Sequence, residues 1–191
     1  MSIRVVIAED EAIIRLDLKE TLQEEGYDVV GETGRGDEAV TLVAELKPDL
    51  AILDVKMPGM DGLQAAALIS ADKQAAVLIL TAFSQRDLIE KARDAGALAY
   101  LVKPFQKSEL IPAVEVALGR HQEMKALADE NLSLADQLET RKLVDRAKGR
   151  LMDEHANSEQ DAFRFLQKTA MDTRSTLKQV AQDVVDGALK P

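Results

Sequence analysis

The sequence has no cysteine, no tryptophan and only six aromatic residues among 191. Without cysteine there can be no disulfide framework and no thiolate metal site. Hydrophobic residues make up 46% and aromatics 3%, so the core must be built from Val, Leu, Ile and Ala. No uninterrupted apolar run approaches the roughly eighteen residues a membrane span requires. The N-terminus, MSIRVVIAED, passes from a short apolar run straight into Glu9, Asp10 and Glu11, which no signal peptide does. These absences point to an aliphatic, cytoplasmic protein with no membrane partner.

Positive charge is also scarce, with a formal net charge of −10. It is distributed unevenly. Residues 1–120 carry 13 basic and 21 acidic side chains, a net of −8, whereas residues 121–191 carry 11 and 13, a net of −2. Within the tail, residues 141–178 hold 9 basic and 6 acidic side chains, a net of +3. An acidic body joined to a locally basic end implies two parts with different partners.

The first part alternates β-branched runs with amphipathic stretches. The spacing predicts strands in IRVVIAED, YDVVG, DLAILDV, AVLILTAF and AYLVKPF. Between them it predicts helices that stop at Gly26, at Lys47-Pro48 and at Gly96, with Ser108 capping the last. Five such units imply an α/β fold with a parallel sheet and helices on both faces. GETGRGDEA (31–39) has glycines between a strand and a helix but lacks the GK[ST] of a P-loop, so it reads as a flexible loop.

Past Arg120 the period changes. Met124, Leu127, Asn131, Leu134 and Leu138 follow a 3-4-3-4 spacing, which predicts a coiled-coil helix over 120–138 and a homodimer. Three helices then make a small bundle over 139–191. The second opens on the capping box SEQD at Ser158, and the third is capped by Ser175 or Thr176. Leu177, Val180, Ala181, Val184, Val185 and Ala188 form the apolar stripe of that third helix.

In open α/β sheets the active groups gather at the carboxyl ends of the strands. Here those ends carry Glu9, Asp10, Asp54, Thr81 and Lys103. Three carboxylates at one edge repel one another unless a cation sits among them, and hard oxygen ligands suit Mg²⁺. A lysine and a hydroxyl beside them are what a phosphoryl group needs. The chemistry that fits is attack by a carboxylate on phosphorus, giving an acyl phosphate. The motifs AED, LDVKMPGMDG, LTA and YLVKPF, in that order over residues 3 to about 118, resemble the receiver domain of two-component response regulators, a flavodoxin-like (βα)5 fold. The resemblance implies a domain over 1–119 that is phosphorylated by a sensor histidine kinase. It implies Asp54 as phosphoacceptor, Glu9, Asp10, Asp54 and the Lys56 carbonyl as Mg²⁺ ligands, and Thr81, Ala82, Tyr100 and Lys103 as switch and phosphoryl contacts. It further implies a cis Lys103–Pro104 bond and no metabolic enzyme activity beyond slow self-dephosphorylation.

On a helical wheel, Leu143, Val144, Ala147 and Leu151 share one side of the helix after 138. Lys142, Arg146, Gly149 and Arg150 lie opposite, flanked by Arg141 and Lys148. Arg164, Lys168, Arg174 and Lys178 add charge further on. A glycine inside a helix costs about 1 kcal/mol relative to alanine, so close approach by another backbone is expected at Gly149. With aromatic interleaving absent, phosphate contacts and a few side chains reading loop bases are the expected mode of nucleic-acid binding. RAKGRLM, DAFRFLQKTAM and LKQVAQDVV resemble the ANTAR domain, an RNA-binding three-helix module. The order receiver, coiled coil, ANTAR resembles the mycobacterial phosphorylation-dependent antitermination regulators, which implies binding of tandem RNA hairpins in transcript leaders by a dimer. HANSEQD departs from the ANTAR pattern at Ala156 and Asn157, where glycine and an apolar residue are common. The competing readings are a phospho-regulated adaptor that binds a protein through its helical tail, and a DNA-binding regulator.

Overall fold

The structure, a computed structural model, describes residues 2–82, 86–155 and 158–189, the His155 side chain excepted. The chain divides into two compact units, one ending at Ala126 and one beginning at Leu127. In the first, β1 (Arg4–Ala8), β2 (Asp28–Thr33), β3 (Leu50–Asp54), β4 (Ala76–Thr81) and β5 (Ala99–Val102) form one sheet in the order β2-β1-β3-β4-β5. All pairings are parallel. This is the flavodoxin-like order, with its switch point between β1 and β3.

The helices between the strands are α1 (Ala12–Glu24), α2 (Gly36–Leu46), α3 (Gly62–Ala71) and α4 (Arg86–Asp94), followed by α5 (Lys107–His155). Alternate strand residues divide the core into two layers. Val5, Ile7, Leu50, Ile52, Leu78 and Leu80 pack on Leu18 and Leu22 of α1 and on Leu110, Val114 and Leu118 of α5. Val6, Ala8, Ala51, Leu53, Val77 and Ile79 pack on Ala39, Val43, Ala65, Ala66 and Ile69 of α2 and α3. Burial on both faces is why these strands read as continuous apolar runs.

Three expectations are corrected. The segment 31–39 is no flexible loop: β2 continues to Thr33, whose carbonyl accepts from the Glu9 N–H at 2.9 Å, and α2 begins at Gly36. A β-carbon at Gly36 would overlap the Met60 carbonyl, so close packing explains that glycine. Ser108 is not the cap of α5. The helix starts at Lys107, and the Glu109 carboxylate accepts from the Gln106 N–H at 2.9 Å, half of a capping box. Finally, the helices expected over 108–120, 120–138 and 138–155 are one helix of 49 residues. Neither Gly119 nor Gly149 takes the left-handed conformation that ends a helix, and Pro112 lies close to its start.

Gly62 sets the site. Its N–H donates to the Val55 carbonyl at 2.9 Å, and a β-carbon there would overlap the carbonyl of Asp54. Gly62→Ala is expected to lower stability by about 1–3 kcal/mol through overpacking. Urea unfolding of the variant checks this, and an unchanged midpoint would refute it.

In the second unit, the end of α5 packs with α6 (Glu159–Thr173) and α7 (Leu177–Val185). The small core is Val144, Ala147, Leu151, Ala162, Leu166, Val180, Ala181 and Val184. Ser158 and Thr176 are the caps, accepting from the Asp161 and Gln179 N–H groups at 3.2 Å each. α7 ends at Val185, and Gly187 takes φ 77°, so Ala188 leaves the apolar stripe and Leu189 packs in its place. Phe83, Ala156 and Asn157 lie outside the described residues, and with them the expected turn in HANSEQD.

Candidate functional site

The first site forms where β1 and β3 diverge. Glu9 and Asp10 follow β1, and Asp54 ends β3. One carboxylate oxygen from each of the three falls within a group no wider than 4.8 Å. Glu9 is wholly buried, Asp54 is 5% exposed and Asp10 faces solvent. The Lys103–Pro104 bond is cis, and the Lys103 ammonium lies 2.5 Å from Glu9 Oε2 and 2.8 Å from Asp54 Oδ1. The other Asp54 oxygen accepts from the Lys56 N–H at 3.0 Å. Arg15 of α1 donates to the Glu9 carbonyl at 2.5 Å, which ties down the acidic turn.

A cavity of about 610 Å³ opens over this group. Asp10, Asp54, Lys56, Thr81, Ala82 and Lys103 line it, so the strand-end residues named from the sequence meet in one place. Tyr100 does not join them. It is 44% exposed and lines a separate apolar groove with Ile89, Pro112 and Val116. Glu11, Asp87, Leu88 and Lys91 also line the cavity, and sequence reasoning missed them. Asp87 and Lys91 stand one turn apart at the start of α4, and a wheel drawn for that helix at the strands' carboxyl edge would have shown them.

Burial, reinforced by the charge of Asp54, raises the Glu9 pKa above its ordinary value even though Lys103 hydrogen-bonds to it. Burial alone would lower the pKa of Lys103, but its hydrogen bonds to Asp54 and Glu9 prevail and raise it. Glu9 Oε2 is sealed from water and has no hydrogen bond of ordinary geometry; its compensation is the 2.5 Å ion pair to Lys103. Because the folded pKa of Glu9 lies above the reference value of 4.5, its ionisation opposes folding. This contribution favours folding below the unfolded pKa and is lost as pH rises from about 4.5 through the raised value. Without divalent cations, Glu9→Gln is therefore expected to remove this loss of stability towards neutral pH and to flatten that pH dependence. Chemical denaturation across pH in a chelator tests it, and a loss of stability at neutral pH refutes it.

The basic tail is sorted by its partners. Lys148 bonds Asp145 and Glu159, both at 2.8 Å, and its side chain is 17% exposed. Arg150 pairs with Glu154 at 2.6 Å and donates to the Val185 carbonyl at the end of α7. Lys178 lies 2.6 Å from Asp136 and 3.7 Å from Glu139. Arg164 reaches Asp161 only at 3.8 Å. Arg141, Lys142, Arg146, Lys168 and Arg174 are exposed and have no ion pair within the chain among the described residues. The space beside Gly149 is open: a β-carbon there would meet nothing within 4 Å, so no packed helix of this chain accounts for the glycine. Phe163, 37% exposed, and Met171, 78% exposed, share the outer face of α6 with Arg164 and Lys168. The tail thus does present an aromatic ring among its cations, contrary to the sequence reading.

A doubly wound sheet with an acidic cluster, a half-buried lysine and a threonine at its carboxyl edge defines a receiver, and the comparisons with known proteins agree. The chain belongs to the response regulators: residues 5–115 match the response regulator receiver domain and residues 133–185 match the ANTAR domain. It is a phosphorylation-controlled regulator with an RNA-binding output module. It is 58% identical over 183 residues to the transcriptional regulatory protein PdtaR of Mycobacterium tuberculosis, a match covering 96% of this chain and 89% of that protein. The chemotaxis protein CheY of Thermotoga maritima is 38% identical over 115 residues, or 60% of this chain and 96% of that one. Among solved structures, the CheX–CheY–BeF3–Mg complex of Borrelia burgdorferi matches with a TM-score of 0.56 at 26% identity, covering 59% of this chain and 86% of that one. The response regulator domain of Thermotoga maritima CheB matches with a TM-score of 0.58 at 27% identity, covering 62% and 98%. No helix among the described residues is long and apolar enough to cross a membrane.

Proposed function

We propose that this chain is a cytoplasmic transcription antiterminator, switched on when a sensor histidine kinase phosphorylates Asp54. The observation that carries the reading is the pairing of a compact phosphoacceptor site in one unit with a set of unpaired cations in the other. An Asp54 oxygen attacks the phosphorus of a phosphohistidine, the P–N bond breaks, and the imidazole leaves with a proton from solvent. Lys103, 2.8 Å from Asp54, and the Lys56 N–H, at 3.0 Å, hold the carboxylate and then meet the added negative charge. Thr81 lines the same cavity and supplies a hydroxyl to the phosphoryl oxygens.

Glu9, Asp10 and Asp54 offer hard oxygen donors in a tight group, with the Lys103 ammonium against two of the three carboxylates, which fits a small divalent cation. Mg²⁺ would be held by these carboxylates and the Lys56 carbonyl, where it supplies neutralisation of charge during transfer. The relative solved with BeF3 and Mg supports that assignment. The chain is not a metabolic enzyme; its acyl phosphate returns to carboxylate by self-hydrolysis.

The output would bind tandem hairpins in transcript leaders through Arg141, Lys142, Arg146, Lys168 and Arg174, with Phe163 stacking on an unpaired loop base. A homodimer suits this, because Met124, Leu127, Leu134 and Leu138 are each about half exposed along one seam of α5. Asp136 and Glu139, which hold Lys178, lie off that seam, so α7 leaves it open. A gel shift of the full chain with tandem-hairpin RNA, with and without acetyl phosphate, tests the reading. Tighter binding with the donor is expected, and a preference for duplex DNA over hairpin RNA would overturn it.

A further inference from the structure

The end of the sheet opposite the acidic cluster carries a second cavity, of about 560 Å³, with a different lining. Its walls include Lys47 at the end of α2, Asp49 before β3, and His121 and Lys125 on α5. On the far side of His121 a small cleft adds Lys73, and both His121 and Lys125 line the two spaces. Several cations of this acidic unit have found carboxylates: Lys19 with Glu32, Arg35 with Asp37, Lys107 with Glu24 and Glu25. Lys47, Lys73 and Lys125 have no ion pair among the described residues. Asp49, the carboxylate in the wall of the larger cavity, accepts from the Arg4 N–H at 2.8 Å.

Helix dipoles explain part of this arrangement. Lys47 caps α2 and Lys73 follows the cap of α3, so each faces the negative end of a helix. That account does not extend to Lys125, which sits inside α5, or to the half-buried His121 beside it. Lys47 and Lys125 face one space together with His121, and its wall holds a single carboxylate, Asp49, so the balance of charge there favours an anion. The apolar wall of Ala44, Pro48 and Leu118, with the amides of Gln74 and Gln122, gives that space the character of a small-molecule pocket.

We propose that this basal cavity binds a phosphate-bearing small anion of up to nucleotide size, held by Lys47, Lys125 and His121. The site is distinct from the phosphoacceptor cavity and shares no residue with it. The groups facing His121 are Lys125 on its own helix and Lys47, Lys73 and Asp49 from the packed elements. Burial first, then Lys125, lowers the His121 pKa, with Asp49 opposing. A bound anion would favour the charged imidazole and reverse that displacement.

The chain has two histidines, so proton NMR of the full protein reads His121 with His155 as internal control. Inorganic pyrophosphate and ADP are titrated separately at constant ionic strength. The expected result is a saturable movement of the His121 ring signals with an upward shift of its titration midpoint, and at least a tenfold weaker effect in Lys47→Gln/Lys125→Gln. Asp54→Asn should leave the effect intact. Equal response to the two probes assigns the site to the diphosphate alone, and a tighter response to ADP assigns the apolar wall to a base. No movement with either probe, or an equal movement in the double lysine variant or with sodium chloride, overturns the proposal.

Discussion

A full chain carrying Asp54→Asn is expected to take up no acid-labile phosphate from acetyl phosphate and to bind tandem-hairpin RNA with the affinity of the unphosphorylated wild type, donor or no donor. The choice among the three clustered acids follows from their surroundings. Glu9 is fully buried and its pKa is raised, which makes it a poor nucleophile with no path to a donor. Asp10 is exposed and has no ion pair among the described residues. Asp54 alone has one oxygen on the Lys103 ammonium, the other on a backbone N–H, and an open cavity in front. Asparagine keeps the shape and the acceptor for the Lys56 N–H, so loss of function would not come from collapse. Removing one of two carboxylates that share a lysine also relieves repulsion, and the melting temperature should hold or rise. A donor-stimulated gain in RNA affinity that survives Asp54→Asn would move the phosphoacceptor elsewhere.

The strands and the first four helices were legible in the sequence because burial on two faces writes continuous apolar runs, and amphipathic helices write a period near 3.6. The strand-end acids followed from topology alone. What could not be read was set by contacts distant in sequence. Gly36 and Gly62 look like ordinary loop glycines until the Met60 and Asp54 carbonyls are seen against them. Fusion of three expected helices into α5 turned on whether Gly119 and Gly149 would take the left-handed conformation, and a local pattern does not decide that. The helical wheel separated a basic face from an apolar one but said nothing about partners. Lys148, Arg150 and Lys178 are spoken for by Glu159, Val185 and Asp136, residues 11 to 42 positions away along the chain. Phe163 faces outward while Phe165, two positions on, packs inward.

That sorting separates two kinds of basic residue on one helix, and their substitutions should fail in different ways. Lys142→Glu with Arg146→Glu removes exposed, unpaired cations and is expected to weaken hairpin binding about 100-fold at low salt. This corresponds to two charge-assisted hydrogen bonds at roughly 1.5 kcal/mol each. The slope of log affinity against log salt should flatten by about 1 for each phosphate that is no longer neutralised, and unfolding should be unaffected. Arg150→Ala should behave in the opposite way. Its guanidinium links α5 to the last carbonyl of α7 and lies close against Gly187. Truncation strips that carbonyl of its donor and removes the packing of the side-chain stem, at a cost of about 1–3 kcal/mol. In so small a core this should lower the melting temperature of the second unit by several degrees. Below the melting transition, the salt slope of Arg150→Ala should match the wild type, because the guanidinium is already engaged by Glu154 and the Val185 carbonyl. If Arg150→Ala instead flattens the slope without lowering the melting temperature, the guanidinium touches RNA directly and its role as a clamp between α5 and α7 is wrong.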